Sequence, residues 1–229
     1  MLDRLELLVG EKNIEKIKNT KVLIIGIGGV GGYALESLVR SGIESITIVD
    51  YDKIDITNLN RQIIALNSNI GNYKVEEAKK RIEDINKNCN VKIINEKIAL
   101  DNFDILNIES YDYVIDACDT VEVKKEIIRR CLKNNIKFIS SMGTGFKMDP
   151  SKLQIMDVRK TSYDPLAKII RKMVKDEKLK GKIMVVSSTE EKRGNSKVIA
   201  SNSFVPAIAG LMCTSYVIND IVGEKNESK

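Results

Sequence analysis

Short apolar runs alternate along the chain with segments whose apolar residues recur every three or four positions. Lys21 to Ile25 (KVLII) is a compact β-branched run, the pattern of a strand buried on both faces. It ends in Gly26-Ile-Gly-Gly-Val-Gly-Gly32. Val30, Ala34, Leu35 and Leu38 then keep helical spacing up to Gly42, which suits a helix C-cap. Ile46 to Val49 predicts a second strand that closes on Asp50. Val75, Ala78, Ile82 and Ile85 predict a helix over Lys74 to Lys87. Val91 to Ile94, Tyr113 to Ile115 and Ile136 to Ile139 predict three more strands. A helix through Ile127, Ile128 and Leu132 separates the last two. Strands divided by helices predict a Rossmann-like α/β fold, with a mainly parallel sheet and helices on both faces.

The pattern loosens after Met142. Leu153 to Val158 and Ile183 to Val186 read as strands, Pro165 to Val174 as a helix, and Thr189 to Lys197 as a solvated loop. No linker interrupts the chain, so one domain over 1–229 is expected. Its core covers about 21–141, followed by a substrate-side region of strands and helices at about 142–229. Val198 to Asn219 carries no charge, but Ser201, Asn202, Ser203, Pro206, Thr214, Ser215 and Asn219 break its apolar character. The reading is a strand or loop, then a buried helix from about Phe204 to Val222, without membrane contact.

Composition removes several chemistries. The 229 residues include no histidine, so no Ser–His–Asp triad, Cys–His dyad or histidine-ligated metal is available. Cys89, Cys118, Cys131 and Cys213 form no CxxC pair, which argues against structural zinc. Scattered cysteines and a charged start from Met1 to Glu11, unlike a secretion signal, point to a reducing cytoplasm. The formal net charge of +5 permits a polyanionic partner.

Gly26, Gly28 and Gly31 fit G-x-G-x-x-G between a strand and a helix, with Gly29 inside the same turn. Such glycines allow close backbone approach, and the helix N-terminus attracts a phosphate. Asp50, at the end of the second strand, suits a carboxylate bonded to ribose hydroxyls. These features indicate an adenine nucleotide, with NAD as the default.

The residues beyond Asp50 shift the balance towards ATP. Asn58, Arg61 and Gln62 bring polar and cationic groups in just after the ribose acid, where a dinucleotide has no triphosphate to neutralise. Arg61 can fork onto phosphate oxygens. Lys74 opens the next helix after Gly71, where an ammonium can meet a phosphate. Asp119 comes after the fourth strand in IDACD, a place for a magnesium ligand. Each has a plainer reading: Arg61 and Lys74 as surface charges, Asp119 as a helix N-cap. Together they describe an ATP site with a cation clamp and a metal carboxylate.

GIGGVGG, IVDYD, NLNRQ, GxxK and IDACD, taken together, resemble the adenylating enzymes related to ubiquitin-activating enzymes and to bacterial activators of sulfur-carrier proteins. The resemblance implies ATP and magnesium, and activation of a carboxylate with release of pyrophosphate. It implies that Asp50 binds ribose with support from Asp52, that Asn58, Arg61, Gln62 and Lys74 hold phosphates, and that Asp119 binds magnesium. It also implies a homodimer, with Arg4 the only candidate for an arginine reaching the partner subunit's ATP, and leaves room for a sulfur-transfer protein partner.

SMGTG at Ser141 to Gly145, Asp149-Pro150, TSYDPL at Thr161 to Leu166, Ser188-Thr-Glu190 and Ser203-Phe-Val-Pro206 are similar to one branch of that family. The branch dehydrates threonylcarbamoyladenosine beside the anticodon of certain tRNAs. The cluster Lys168, Arg171, Lys172, Lys175, Lys178 and Lys180 could supply phosphate contacts, or serve only as a solvated helix face. The competing reading is adenylation of the C-terminal carboxylate of a ubiquitin-like or sulfur-carrier protein. Many such enzymes carry paired CxxC zinc motifs or an inserted cysteine domain, and this chain carries neither. An NAD-dependent oxidoreductase or a nucleotide-sensing module is the third alternative. Cys118, next to the site, is either reactive or a small buried hydrophobe.

Overall fold

The computed structural model of the chain describes residues 1–194 and 196–223. Seven strands form one sheet: β1 (Lys21–Ile25), β2 (Ser45–Val49), β3 (Asn90–Ile94), β4 (Tyr113–Asp116), β5 (Lys137–Ser141), β6 (Leu153–Asp157) and β7 (Met184–Ser188). Their order is β3-β2-β1-β4-β5-β7-β6. Every neighbouring pair is parallel except β6 with β7, which places an antiparallel strand on one edge. The predicted Rossmann-like α/β architecture is therefore observed, with this edge as its one antiparallel pairing. The order reverses between β1 and β4, and a ligand crevice forms where strands diverge at such a switch point.

The continuous apolar run of β1 results from burial on both sides. Val22 and Ile24 pack on one face, under α3 (Gly31–Arg40), α4 (Lys74–Ile85) and α7 (Val205–Val222). Leu23 and Ile25 pack on the other, under α5 (Val121–Asn134) and α6 (Pro165–Asp176). Burial of these apolar surfaces is the main force that brings the carboxyl ends of the strands together.

Two helices precede the sheet, α1 (Asp3–Val9) and α2 (Glu11–Asn19), where the sequence pattern predicted none. Only Ile14 and Ile17 of α2 are buried, and α1 buries no residue, so neither shows a sustained apolar face. The uncharged C-terminal segment forms α7, close to its predicted bounds. By length and composition α7 could cross a membrane. Instead it lies along α3, burying Val205, Ala209, Cys213 and Val217 in the core. Gly210 of α7 lets the two backbones approach: a Cβ there would stand 2.2 Å from the Val30 carbonyl oxygen.

Candidate active site

A cavity of about 710 Å³ opens over the carboxyl ends of β1, β2, β4 and β5. Its walls include Gly26, Gly28, Gly29, Asp50, Asp52, Asn58, Arg61, Gln62, Lys74 and Asp119, so residues far apart in sequence share one space. Gly31 stands outside the lining. A Cβ at Gly31 would lie 1.8 Å from the Gly26 carbonyl oxygen, so its place in the motif is helix-to-strand packing. Gly26 has φ +89°, and a Cβ there would meet the Ala117 carbonyl oxygen at 2.7 Å, binding the glycine turn closely to the segment after β4.

Asp50 is held rather than free. Its Oδ2 accepts from the Ile27 amide at 2.7 Å and its Oδ1 from the Asp52 amide at 2.9 Å. Burial pushes its carboxyl upward, opposed by the charge of Lys74 and by these amides. With one amide on each oxygen, the Asp50 carboxylate on the cavity wall keeps acceptor capacity to spare. Lys74 is buried at the first position of α4, and its Nζ sits 2.7 Å from Asp52 Oδ2. The plainer reading of Lys74 as a surface charge is thereby corrected: the ammonium belongs to the cavity.

Asn58 is buried and serves the backbone as well as the cavity. Its Oδ1 accepts from the Asp55 amide at 3.1 Å, closing a capping box around the short turn Ile56–Asn58. Arg61 Nη1 donates to the Thr57 carbonyl at 2.8 Å and to Asn60 Oδ1 at 3.0 Å. That holds the guanidinium in one pose, with its other donors still available for an anion. Gln62 Oε1 is buried and has no partner among the described residues. Asp119 is exposed on the cavity wall. The N-cap position of α5 is taken by Thr120 without a side-chain cap bond, so Asp119 does not serve the capping role of its plainer reading.

The second half of the cavity comes from Ser141 to Lys147, Tyr163 to Leu166, Ile169, Lys192, Ile199 and Pro206. Most of its motifs were visible in sequence, but their joining was not. Asp164 caps α6, with Oδ1 accepting from the Ala167 amide at 2.9 Å and Oδ2 from the Gly143 amide at 2.8 Å. Glu190 accepts from the Met148 and Asp149 amides at 2.9 and 2.8 Å. Lys147, which sequence reasoning passed over, is buried and donates to the Glu190 carbonyl. Burial pushes its ammonium below the ordinary lysine value, against the nearby charges of Asp164, Glu190 and Glu191.

Beneath the floor, Lys124 and Asp116 form a wholly buried ion pair. Asp116 Oδ1 lies 3.0 Å from Cys118 Sγ. Burial, reinforced by the charge of Asp116, pushes the Cys118 thiol well above its ordinary value. A thiol so raised is a poor nucleophile, and Cys118 packs, partly buried, against the apolar cluster of β1 and α5, which favours the reading as a small hydrophobe. Arg171 also departs from expectation: half-buried, it donates to the Thr161 carbonyl at 2.9 Å rather than joining a free basic face. Lys168, Lys172, Lys175, Lys178 and Lys180 remain outside the buried core.

A switch-point crevice lined by a glycine turn, a carboxylate held by two amides and two cations has the form of the nucleotide sites of α/β proteins. More narrowly, the chain belongs to the ThiF family, whose model matches residues 2–229. A relative from Bacillus subtilis, tRNA threonylcarbamoyladenosine dehydratase, is 39% identical and covers 96% of this chain and 93% of its own. The Escherichia coli protein of the same name is 38% identical, over 90% of this chain and 75% of its own. The crystal structure of the E. coli dehydratase in complex with ATP superposes with a TM-score of 0.90 at 34% identity, covering 96% of this chain and 93% of that one. The resemblance seen in the motifs, both to the adenylating family and to its tRNA branch, is borne out.

Proposed function

We propose that this protein uses ATP to dehydrate N6-threonylcarbamoyladenosine in tRNA, by way of an adenylate of the threonyl carboxylate. The observation that carries the reading is that Asp50, Arg61, Lys74 and Asp119 line one cavity with the segments Ser141–Lys147 and Tyr163–Leu166. A nucleotide and a second substrate can therefore meet without a covalent relay through the protein. The near full-length likeness to named dehydratases supports the same substrate.

The groups present set the chemistry. The substrate carboxylate attacks the α-phosphorus of ATP, and the bond to the β-phosphate oxygen breaks, releasing pyrophosphate. Arg61 and Lys74 neutralise charge on the departing group, and the rigid backbone around Asp50 positions the nucleotide. The carbamoyl group of the same nucleoside then attacks the activated carbonyl. AMP leaves with one carboxylate oxygen, the carbamoyl proton passes to solvent, and a ring closes. The nucleoside has lost one water, and no protein nucleophile is used, in keeping with the absence of histidine and the raised Cys118 thiol.

Magnesium fits this donor set. No group of three or more ligating side chains occurs among the described residues. Magnesium needs none, since it is commonly held by one or two carboxylates together with substrate phosphates. Asp119 would hold it, and the bound ion would supply charge neutralisation at the phosphates. We further infer a homodimer: α1 leaves Leu7 and Leu8 exposed at 90% and 78%, and on this helix Arg4 is also exposed and lies outside its own cavity's lining. The free thiols of Cys89, Cys118, Cys131 and Cys213 suit a reducing cytoplasm.

The test is to incubate the protein with ATP, magnesium and tRNA bearing threonylcarbamoyladenosine, digest the tRNA, and weigh the nucleosides. Loss of one water that depends on ATP, and is absent with Arg61→Ala, is the expected result. No mass change from protein that binds ATP would reject the tRNA substrate. The carboxylate of a sulfur-carrier protein would then be the substrate to try.

A further inference from the structure

Two aromatic residues on the cavity wall have left-handed backbones: Phe146 at φ +60° and Tyr163 at φ +53°. Of the five described non-glycine residues with positive φ, Asn107 and Asn135 are of the type that tolerates it, and Lys178 lies exposed just past α6. Bulky side chains do not adopt this conformation without cost, and such strain gathers at binding and catalytic sites. Here both costly positions fall in one cavity.

Each is enforced by its surroundings. The Phe146 amide donates to the Ala200 carbonyl at 2.8 Å, and its carbonyl accepts from the Arg193 amide at 3.0 Å. Tyr163 stands between two fixed residues. Thr161 accepts from Arg171 and donates to the Val158 carbonyl at 2.7 Å, while Asp164 ties Gly143 to the start of α6. The result is a tyrosine, 57% exposed, on the cavity wall, carried by a backbone that cannot readily turn away. Phe146 is half-buried, and Lys192 Nζ lies 4.2 Å above its ring centre, adding a cation to the same wall.

Rigid aromatic faces next to cations are how proteins hold unstacked bases of single-stranded RNA loops. Resting on the dehydratase reading, we propose that Phe146 and Tyr163 form a stacking subsite for the purine base of the splayed-out nucleotide. They hold its side chain of threonine and carbamoyl groups towards the phosphate half of the cavity. Lys192 meets the adjoining RNA backbone or the exposed edge of the stack. The two rings bind and position, and take no part in bond making.

The experiment compares Phe146→Leu and Tyr163→Leu with the aromatic exchanges Phe146→Tyr and Tyr163→Phe. It measures kcat and KM for the modified tRNA together with ATP affinity. Loss of a stacking face predicts KM for tRNA raised about tenfold in each leucine variant, with ATP affinity kept and the aromatic exchanges close to wild type. Because Tyr163 is largely exposed, its leucine variant tests the subsite even where Phe146→Leu weakens folding. Wild-type activity with both leucine variants unchanged in KM would overturn the subsite alone. A wild-type protein that binds ATP and removes no water would overturn the dehydratase reading, and this inference with it.

Discussion

Lys124 Nζ lies 2.6 Å from Asp116 Oδ2, with both side chains wholly buried beneath the cavity floor. Lys124 also donates to Ser140 Oγ and to the Ser141 carbonyl, each at 3.1 Å, so one ammonium joins the ends of β4 and β5 where the cavity begins. Burial works most strongly against the charge, but the surroundings, Asp116 foremost, raise the ammonium above its ordinary value overall. Lys124→Met would strand a buried carboxylate. The expected loss is about 3–5 kcal/mol in urea unfolding, with part recovered in the Asp116→Asn, Lys124→Met double variant. Unchanged stability of the single variant would show the pair to be dispensable.

Gly210 sets helix propensity against packing. Alanine inside a helix is ordinarily favoured over glycine by about 1 kcal/mol. At Gly210 a Cβ would stand 2.2 Å from Val30 O and 2.9 Å from Ala34 N, backbone atoms at the start of α3. Gly210→Ala should therefore destabilise the protein by about 2 kcal/mol, read as a lower melting temperature. A raised melting temperature would contradict the close approach of α3 and α7.

Much of this architecture was legible in sequence because β1, β2 and β4 are buried along almost their whole length, which leaves short apolar runs. The edge strand β3 exposes Asn90 and Lys92, and Val91, Ile93 and Ile94 were enough to mark it. The glycine turn and Asp50 were legible because backbone approach and ribose binding each demand a residue type at a set place. The helices α1 and α2 were not, since they bury almost nothing. Lys124 was hidden for the opposite reason: a lysine in an amphipathic helix reads as solvated, yet this one is fully buried. Tyr163 was legible only as a member of TSYDPL, and Phe146 not at all, because a left-handed backbone at an aromatic residue leaves no compositional mark.

Cys118 offers a check on the chemistry. Its thiol is pushed well above the ordinary value of 9.0, so it stays protonated at pH 8. Iodoacetamide at that pH should leave activity intact, and Cys118→Ala should retain at least about half of it. Rapid inactivation with labelling at Cys118 would restore a thiolate to the mechanism.

Glu36 links α3 to α4, accepting from Arg81 Nε at 2.6 Å and from Arg40 Nε at 2.7 Å. Burial raises its carboxyl, but the two arginines lower it by more, so the net shift is below 4.5. Stability from a lowered carboxyl is present above the unfolded value and lost as pH falls through the folded one. Glu36→Gln should cost about 1 kcal/mol at neutral pH, and the difference should shrink as pH falls through the folded-state value of the Glu36 carboxyl. A difference independent of pH would mean that packing, not charge, is what the variant loses.

Activation of the substrate's own carboxylate as an adenylate is tested most directly by tracing its oxygen. Threonylcarbamoyladenosine labelled with oxygen-18 in the carboxylate, carried in tRNA, is turned over with ATP, and the nucleotide products are weighed. Attack at the α-phosphorus predicts AMP bearing one labelled oxygen for each ring closed, with unlabelled pyrophosphate. Label in inorganic phosphate, with ADP as the other product, would contradict it.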